Sequence, residues 1–449
     1  MPGHKLGKGI PPELMSNAAL LDLTEIPGTD NLHYPEGAIK EAQELAARAF
    51  GAEHTFFLVN GSTCGIHAMI LSLCRPGDKL IIARDCHKSV INGMLLAGVQ
   101  PVYVKPGFNS DFAIPSALSP KDVEIAIKEN PDAIGVLITR PNYYGICSDI
   151  EKIAEITHAY GKILAVDEAH GSHLRFSSSL PICAMDGGAD ICVQSAHKTL
   201  PALTQSAYLH VKGNRIDTER LQFFLSSLQT SSPSYILMAS LDIAREIMEQ
   251  KGKEMLEQLL GYVDIIEKRL IDNRLTVLGD HFVEEGSMDK TRLVVNVKRL
   301  GVTGFDIDRL LRKEYNIQVE MADLYNIVCI CTVSDQKSDY EKLEKALVET
   351  SERLKDNPST SKILVGDLKV PPLAFDLKEI LNRKGRKVKL GEAVGMVSKT
   401  IVTPYPPGIP VICPGEIILE DAVNYIGSIV RMGGTVNGLE ENLDILIAE

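Results

Sequence analysis

Three groups of polar residues stand where short apolar runs end, and their chemistries complement one another. Asn60-Gly61-Ser62-Thr63 follows the run HTFFLV and precedes an apolar, helix-like stretch. A small glycine-containing turn with hydroxyls at a helix N-terminus can hold a phosphate through backbone N–H groups and the helix dipole. Ser and Thr also serve there as plain N-caps, so this turn alone does not decide. Asp167-Glu168-Ala169-His170 follows KILAV, where an acid is common. Ser195-Ala196-His197-Lys198-Thr199 follows ICVQ and precedes LPAL. Most lysines are solvated at the surface, and a lysine held between apolar segments is unusual unless it has a task.

Together the three groups meet the needs of pyridoxal 5'-phosphate. That cofactor requires a lysine for its Schiff base, a carboxylate at its pyridinium nitrogen and a phosphate cradle. Asp167 and Lys198 are 31 residues apart, room for one helix and one strand, so both can reach one cavity from neighbouring strand ends. Asp167 would keep the ring nitrogen protonated and make the ring an electron sink. His87, after KLIIA in the segment DCHKS, is placed to stack on the ring face.

The surrounding pattern supplies the elements these groups need. Residues 36–50 have helical spacing and good helix formers. HTFFLVN, KLIIA, PVYV, AIGVLI, KILAVD and ICVQ are short and nearly all apolar, separated by helix-length segments, with SAYLHV as one further strand. Strands apolar on both faces and joined by helices indicate a parallel sheet covered on both sides. Residues 217–273 read as helical. TRLVVNV, a helix over 304–314, IQVE and NIVCICT then predict a smaller α/β unit. A helix over 336–356 runs into the polar linker DNPSTSK, and a Pro/Gly-dense segment spans 404–416.

Composition narrows the function. A chain of 449 residues suggests two or three domains, and 45% hydrophobic with 24% charged residues excludes a mainly disordered protein. No run reaches the length of a membrane span. A formal net charge of −12 argues against nucleic acid or an anionic membrane as partner and suits a cationic small substrate. The nine cysteines form no C-x-x-C pair and no Cys/His metal spacing, as expected for buried free thiols in a reducing compartment. The N-terminus lacks the apolar core of a signal peptide, so the expected location is cytoplasmic. His170 and His173 have no third ligand at a useful spacing, and no metal is expected.

The motifs MPGHK, LHYPEG, CHKS, VDEAHG, SAHK with LTQSA, TSSPSY, VEMADLYN, YPPGIP and PGE together resemble the Orn/Lys/Arg decarboxylase family over essentially the whole chain. The resemblance is to the short, bacillus-type arginine decarboxylase form, without the additional N-terminal domain of longer members. It implies an α/β, fold type I pyridoxal-phosphate enzyme. Its parts would be an N-terminal arm (1–32), a large domain with a mostly parallel seven-stranded sheet (33–278), a small α/β domain (279–357) and a C-terminal α/β domain (358–449). It implies that Lys198 carries the Schiff base, Asp167 pairs with the pyridinium, His87 stacks on the ring and Ala169 lines the cofactor site. Ser62, Thr63, Ser195 and His197 would bind phosphate, completed by a hydroxyl from the Thr230–Ser232 region of the other subunit of a homodimer or higher homo-oligomer. Glu320 would meet the distal cation of the substrate, and Lys198 or His197 would return a proton to Cα.

The implied reaction is α-decarboxylation of a basic L-amino acid, arginine favoured over lysine or ornithine, giving agmatine or a diamine for polyamine metabolism. Two features depart from the family: Arg140-Pro141-Asn142-Tyr143 replaces an Asn-Pro-Thr-Tyr segment, and the arm before MPGHK is shortened. The competing readings are an aminotransferase or β-eliminating lyase, for which Arg140 could clamp an α-carboxylate, and a relative that has lost its chemistry. Glu168 could bind backbone or substrate. Tyr405 and Glu416 could approach a partner's site or belong to structural turns.

Overall fold

The apolar strands assemble into one seven-stranded sheet. In a computed structural model that describes residues 1–273, 275–354, 367–406 and 408–449, the order along it is 54–58, 207–211, 191–194, 163–167, 135–139, 79–83, 100–104. Neighbours from 191–194 to 100–104 are parallel. Ala207–Val211 runs antiparallel to both its neighbours, which makes the sheet mostly parallel, as expected. Burial on both faces explains why these strands show no alternation: Gly135–Thr139 and Ala207–Val211 are buried at every position.

The covering helices follow from local sequence. Ala38–Phe50 buries Ile39, Gln43, Ala46, Ala47 and Phe50, one stripe at helical spacing, and ends where Gly51 turns left-handed at φ 71°. Tyr235–Asp272 is a single helix of 38 residues, about 57 Å long. It packs on Ala38–Phe50 at one end and on Lys337–Leu354 at the other, joining the large sheet to the smaller unit.

That smaller unit holds a four-stranded antiparallel sheet in the order 276–277, 292–296, 326–330, 321–322. Its helix Gly304–Tyr315 opens with a capping box between Thr303 and Asp306. The segment IQVE is not a strand. Asn316 closes the helix at φ 51°, and only Met321–Ala322 joins the sheet, as a two-residue edge. The DNPSTSK linker lies outside the described residues. The last segment pairs Gly385–Lys389 with Asp444–Ala448 beside the helix Glu420–Arg431. All nine cysteines are buried and free. Among the described residues, no helix is long and apolar enough to cross a membrane.

Candidate active site

Parallel strands place the residues that follow them along one edge of the sheet, and this edge gathers the polar groups. Asp167 ends Ile163–Asp167, Ser195 follows Ile191–Gln194, His87 follows Lys79–Ala83, and Asn60–Gly61 follows His54–Leu58. Asp167 is 3% exposed, and its Oδ1 accepts the Ala169 N–H at 3.1 Å. Burial pushes its carboxyl pKa up, opposed by the Lys198 charge and the Ala169 amide. Lys198 is half-buried, and its Nζ lies 3.1 Å from His170 Nε2. Burial pulls the lysine down from its ordinary value, Asp167 and Glu320 oppose this, and Arg292 adds to it.

Ser62 stands in the first turn of Gly61–Leu73, and the Ser195 hydroxyl donates to its oxygen at 2.8 Å. Two hydroxyls therefore meet at a helix N-terminus, with Thr63 exposed on the same turn and open space beside Gly61. His87 is held by Ser89, whose N–H and hydroxyl lie 3.2 and 2.8 Å from Nδ1. Burial, then the charges of Lys198, Lys88 and His67, push His87 down to about 3, so the ring is neutral at ordinary pH. His197 Nδ1 lies 2.9 Å from the Ser206 carbonyl, to which it donates, and burial brings its pKa down to about 4.

Two glycines are required by close approach. Gly3 of the MPGHK motif donates its N–H to the His197 carbonyl at 3.1 Å, and a Cβ there would sit 2.1 Å from the Leu200 carbonyl oxygen. The arm thus braces the turn that carries Lys198, while Lys5 reaches the Ile330 carbonyl and Asp335 in the smaller unit. Gly408 adopts φ +103°, and a Cβ on it would lie 3.1 Å from the His87 ring, so the Pro-rich segment closes against His87 of its own chain.

Several open alternatives are decided here. Glu168 is fully buried, with Oε1 accepting the Ala184 N–H at 2.8 Å and Oε2 accepting Gln194 Nε2 at 2.7 Å; it binds the frame. Arg140 donates to the carbonyls of Ser148 and Ile182 and lies 3.7 Å from Glu168, leaving it unsuited to clamp a substrate. Glu416 is committed through one oxygen: Arg84 Nη2 lies 3.0 Å from Oε2, and the Cys413 N–H donates to that same oxygen at 2.7 Å. Tyr405 is exposed, with Lys88 Nζ 5.5 Å from its ring centre. His173 Nε2 meets Asp289 and Thr291 at 3.2 and 3.0 Å, across to the smaller unit.

Other expected residues stand at the margin. Glu320 is exposed just before Met321–Ala322, near enough for its charge to act on Lys198. Thr230, Ser231 and Ser232 are exposed, and the Thr230 N–H points to Asn60 Oδ1 at 3.4 Å. Arg292 was not anticipated. It is 2% exposed at the head of Arg292–Asn296, and its Nη2 donates to His170 Nδ1 at 2.9 Å. The signal that singled out Lys198, a charge against an apolar strand, is also present in TRLVVN.

This donor set fits pyridoxal phosphate. A buried carboxylate, a lysine with a depressed pKa and paired hydroxyls at a helix N-terminus are the three partners its ring nitrogen, aldehyde and phosphate demand.

Residues 1–277 match the family model described as Orn/Lys/Arg decarboxylase, major domain, and residues 371–446 match the corresponding C-terminal domain. The chain is 38% identical over 453 residues to the arginine decarboxylase of Bacillus subtilis, covering 98% of this chain and 92% of that protein. It is 38% identical over 450 residues to that of Bacillus anthracis, covering 98% and 91%. Among solved structures, the Francisella novicida lysine decarboxylase superposes with a TM-score of 0.82 at 20% identity, covering all of this chain and 78% of that one, a likeness of fold.

Proposed function

This chain belongs to the Orn/Lys/Arg decarboxylase family and is an amino-acid decarboxylase; we propose that it uses pyridoxal 5'-phosphate and takes L-arginine as its preferred substrate, releasing agmatine. The observation that carries the reading is the meeting of Asp167, Lys198 and the Ser62–Ser195 hydroxyl pair at one sheet edge.

When bound, the cofactor supplies a sink for the electron pair left at Cα as carbon dioxide departs. The chain does the rest. Asp167, on a buried strand end, keeps the ring nitrogen protonated. The neutral His87 ring, held in orientation by Ser89, stacks on a flat aromatic surface without adding charge. Ser62, Thr63, Ser195 and the first turn of Gly61–Leu73 donate to the phosphate, with Ala169 lining the pocket. His197 has spent its single N–H on Ser206, and takes up a second proton when a dianion sits beside it. Glu320 receives the distal cation of the substrate. Lys198 returns the proton to Cα. Arg140, committed to backbone carbonyls, leaves the α-carboxylate unclamped by that residue, as a decarboxylase needs. Nine buried thiols suit a reducing, cytoplasmic setting, and a polyamine precursor is the natural product class.

Decarboxylation measured with arginine, lysine and ornithine, the amines identified by mass, tests the assignment. Arginine should exceed the other two in kcat/KM by at least about tenfold, the scale on which a pocket resolves tails of different length. Transfer of the amino group to a keto acid without release of carbon dioxide would overturn it.

The active unit in this reading is a homodimer or larger homo-oligomer with shared sites. Thr230, Ser231 and Ser232 are exposed, where a second subunit can approach them, and in this reading their hydroxyls add to the phosphate donors that Ser62, Thr63, Ser195 and the first turn of Gly61–Leu73 supply in that subunit. Two inactive variants test this: Lys198→Ala, and a chain with all three hydroxyl residues changed to Ala. Mixed after subunit exchange, they should regain activity, because some assembled sites combine one chain's lysine with the other's hydroxyls. Verified exchange with no recovery would count against shared sites.

A further inference from the structure

We propose that Arg292 pins His170 in the tautomer carrying its proton on Nε2, and that this N–H, aimed at Lys198 Nζ, holds Lys198 as a free amine ready to capture the cofactor's aldehyde. The inference rests on Lys198 being the cofactor-binding lysine.

The argument is one of donors and acceptors. A guanidinium has five N–H donors and no acceptor. Its Nη2 lies 2.9 Å from His170 Nδ1 and 3.2 Å from the His170 carbonyl oxygen, so both of those atoms accept. A neutral imidazole with an accepting Nδ1 carries its proton on Nε2. Nε2 is 3.1 Å from Lys198 Nζ, so the N–H there must find a lone pair. An ammonium has none; an amine has one. The reverse arrangement, an ammonium donating to Nε2, would turn the Nδ1 proton against the guanidinium, donor facing donor.

Arg292 also has the burial of a group kept for a purpose. Among the described residues it pairs directly with no carboxylate, and its Nε and Nη1 are buried without hydrogen-bond partners. A cation held that way is costly and raises the pressure on nearby positive charge. Burial, and with it the Arg292 charge, lower the His170 pKa, and its Nδ1, which accepts from the guanidinium, carries no proton. The charges facing Lys198 are Asp167 and Glu320, which favour the ammonium, and Arg292, which opposes it. His87 and His197, both neutral, complete the surroundings. Tyr143 packs edge-on against His170, ring centres 5.0 Å apart, and keeps the imidazole from rotating out of line.

Capture itself needs the amine. The Nζ lone pair adds to the aldehyde carbon, a carbon–nitrogen double bond forms, and the carbonyl oxygen leaves as water with both amine protons. An ammonium must first shed a proton, so its capture rate falls as pH drops. Arg292 is therefore a positioning residue, acting through His170.

The test follows the visible absorption that appears when pyridoxal phosphate is added to the full chain stripped of cofactor, from pH 6 to 10. Arg292→Met and His170→Phe should each raise the pH midpoint of the capture rate by about one unit, about tenfold slower capture on the acidic limb. The double variant should shift by clearly less than the sum of the two single shifts, because the part of Arg292's effect that runs through His170 is already lost in His170→Phe and only its direct charge remains to be removed. Fully additive shifts would show that Arg292 acts on Lys198 by direct repulsion alone, and would overturn the relay. An unmoved midpoint with a raised KM for the amino acid in Arg292→Met would place Arg292 on the substrate and overturn it too. If Arg292→Met does not fold, His170→Phe decides alone: an unmoved midpoint ends the proposal. Failure of the wild-type chain to capture any pyridoxal phosphate would instead refute the functional reading beneath it.

Discussion

Lys198→Ala is expected to abolish the visible absorption of lysine-bound pyridoxal phosphate and to lower decarboxylation on the order of 10⁴-fold or more, the scale of losing a covalent group. The fold should persist. Lys198 is only half-buried, and the bonds that set its turn are made by backbone, the Gly3 N–H to the His197 carbonyl and the Leu200 N–H to the Ala196 carbonyl. The change leaves the His170 Nε2–H without its acceptor, a cost of about 1–3 kcal/mol that water entering the vacated space reduces. Far-ultraviolet circular dichroism and thermal unfolding check the fold, and absorbance and released carbon dioxide check the chemistry. Retention of the lysine-dependent band in the variant would show that another residue binds the cofactor.

Asp167→Asn should bind cofactor yet lose about 10²–10⁴-fold in turnover, the range for removing a group that governs proton position at the reacting centre. An amide is close in shape and can still accept the Ala169 N–H through its oxygen, so the strand end is preserved. What it lacks is the negative charge that holds a proton on the ring nitrogen, where a charge-assisted bond is roughly twice as strong as a neutral one. Burial raises the pKa of Asp167 in the chain as it stands, and a cationic ring nitrogen beside it would draw the carboxyl back to its ionised form. Absorbance titration should show the ring losing its proton at lower pH than in wild type. Turnover close to wild type in Asp167→Asn would mean that some other group protonates the ring.

The sequence by itself determined the parallel sheet and the positions of Lys198, Asp167, His87 and the Ser62–Ser195 pair at its edge. The reason is local: a strand buried on both faces must be apolar throughout, so the polar residue that breaks the run marks its end, and parallel packing aligns the ends. Residue type then narrowed the chemistry, because few ligands need a lysine, an acid and a phosphate cradle together. The short edge strand was misplaced at IQVE because two paired residues leave no periodicity to read.

The tertiary structure alone decided how the remaining polar groups are spent. Glu168 beside Asp167, and Arg140 one strand away, looked equally chemical in sequence, yet both bind the protein frame. Glu416 meets Arg84 more than three hundred residues earlier in the chain, and Gly3 meets His197. His170 acquires its role from Arg292, 122 residues away. A side chain with hydrogen-bonding capacity takes whichever partner the fold presents, and burial makes that choice binding because an unmet donor or acceptor is expensive. Spacing along the chain carries no record of that choice. It is made only when distant segments close on one another.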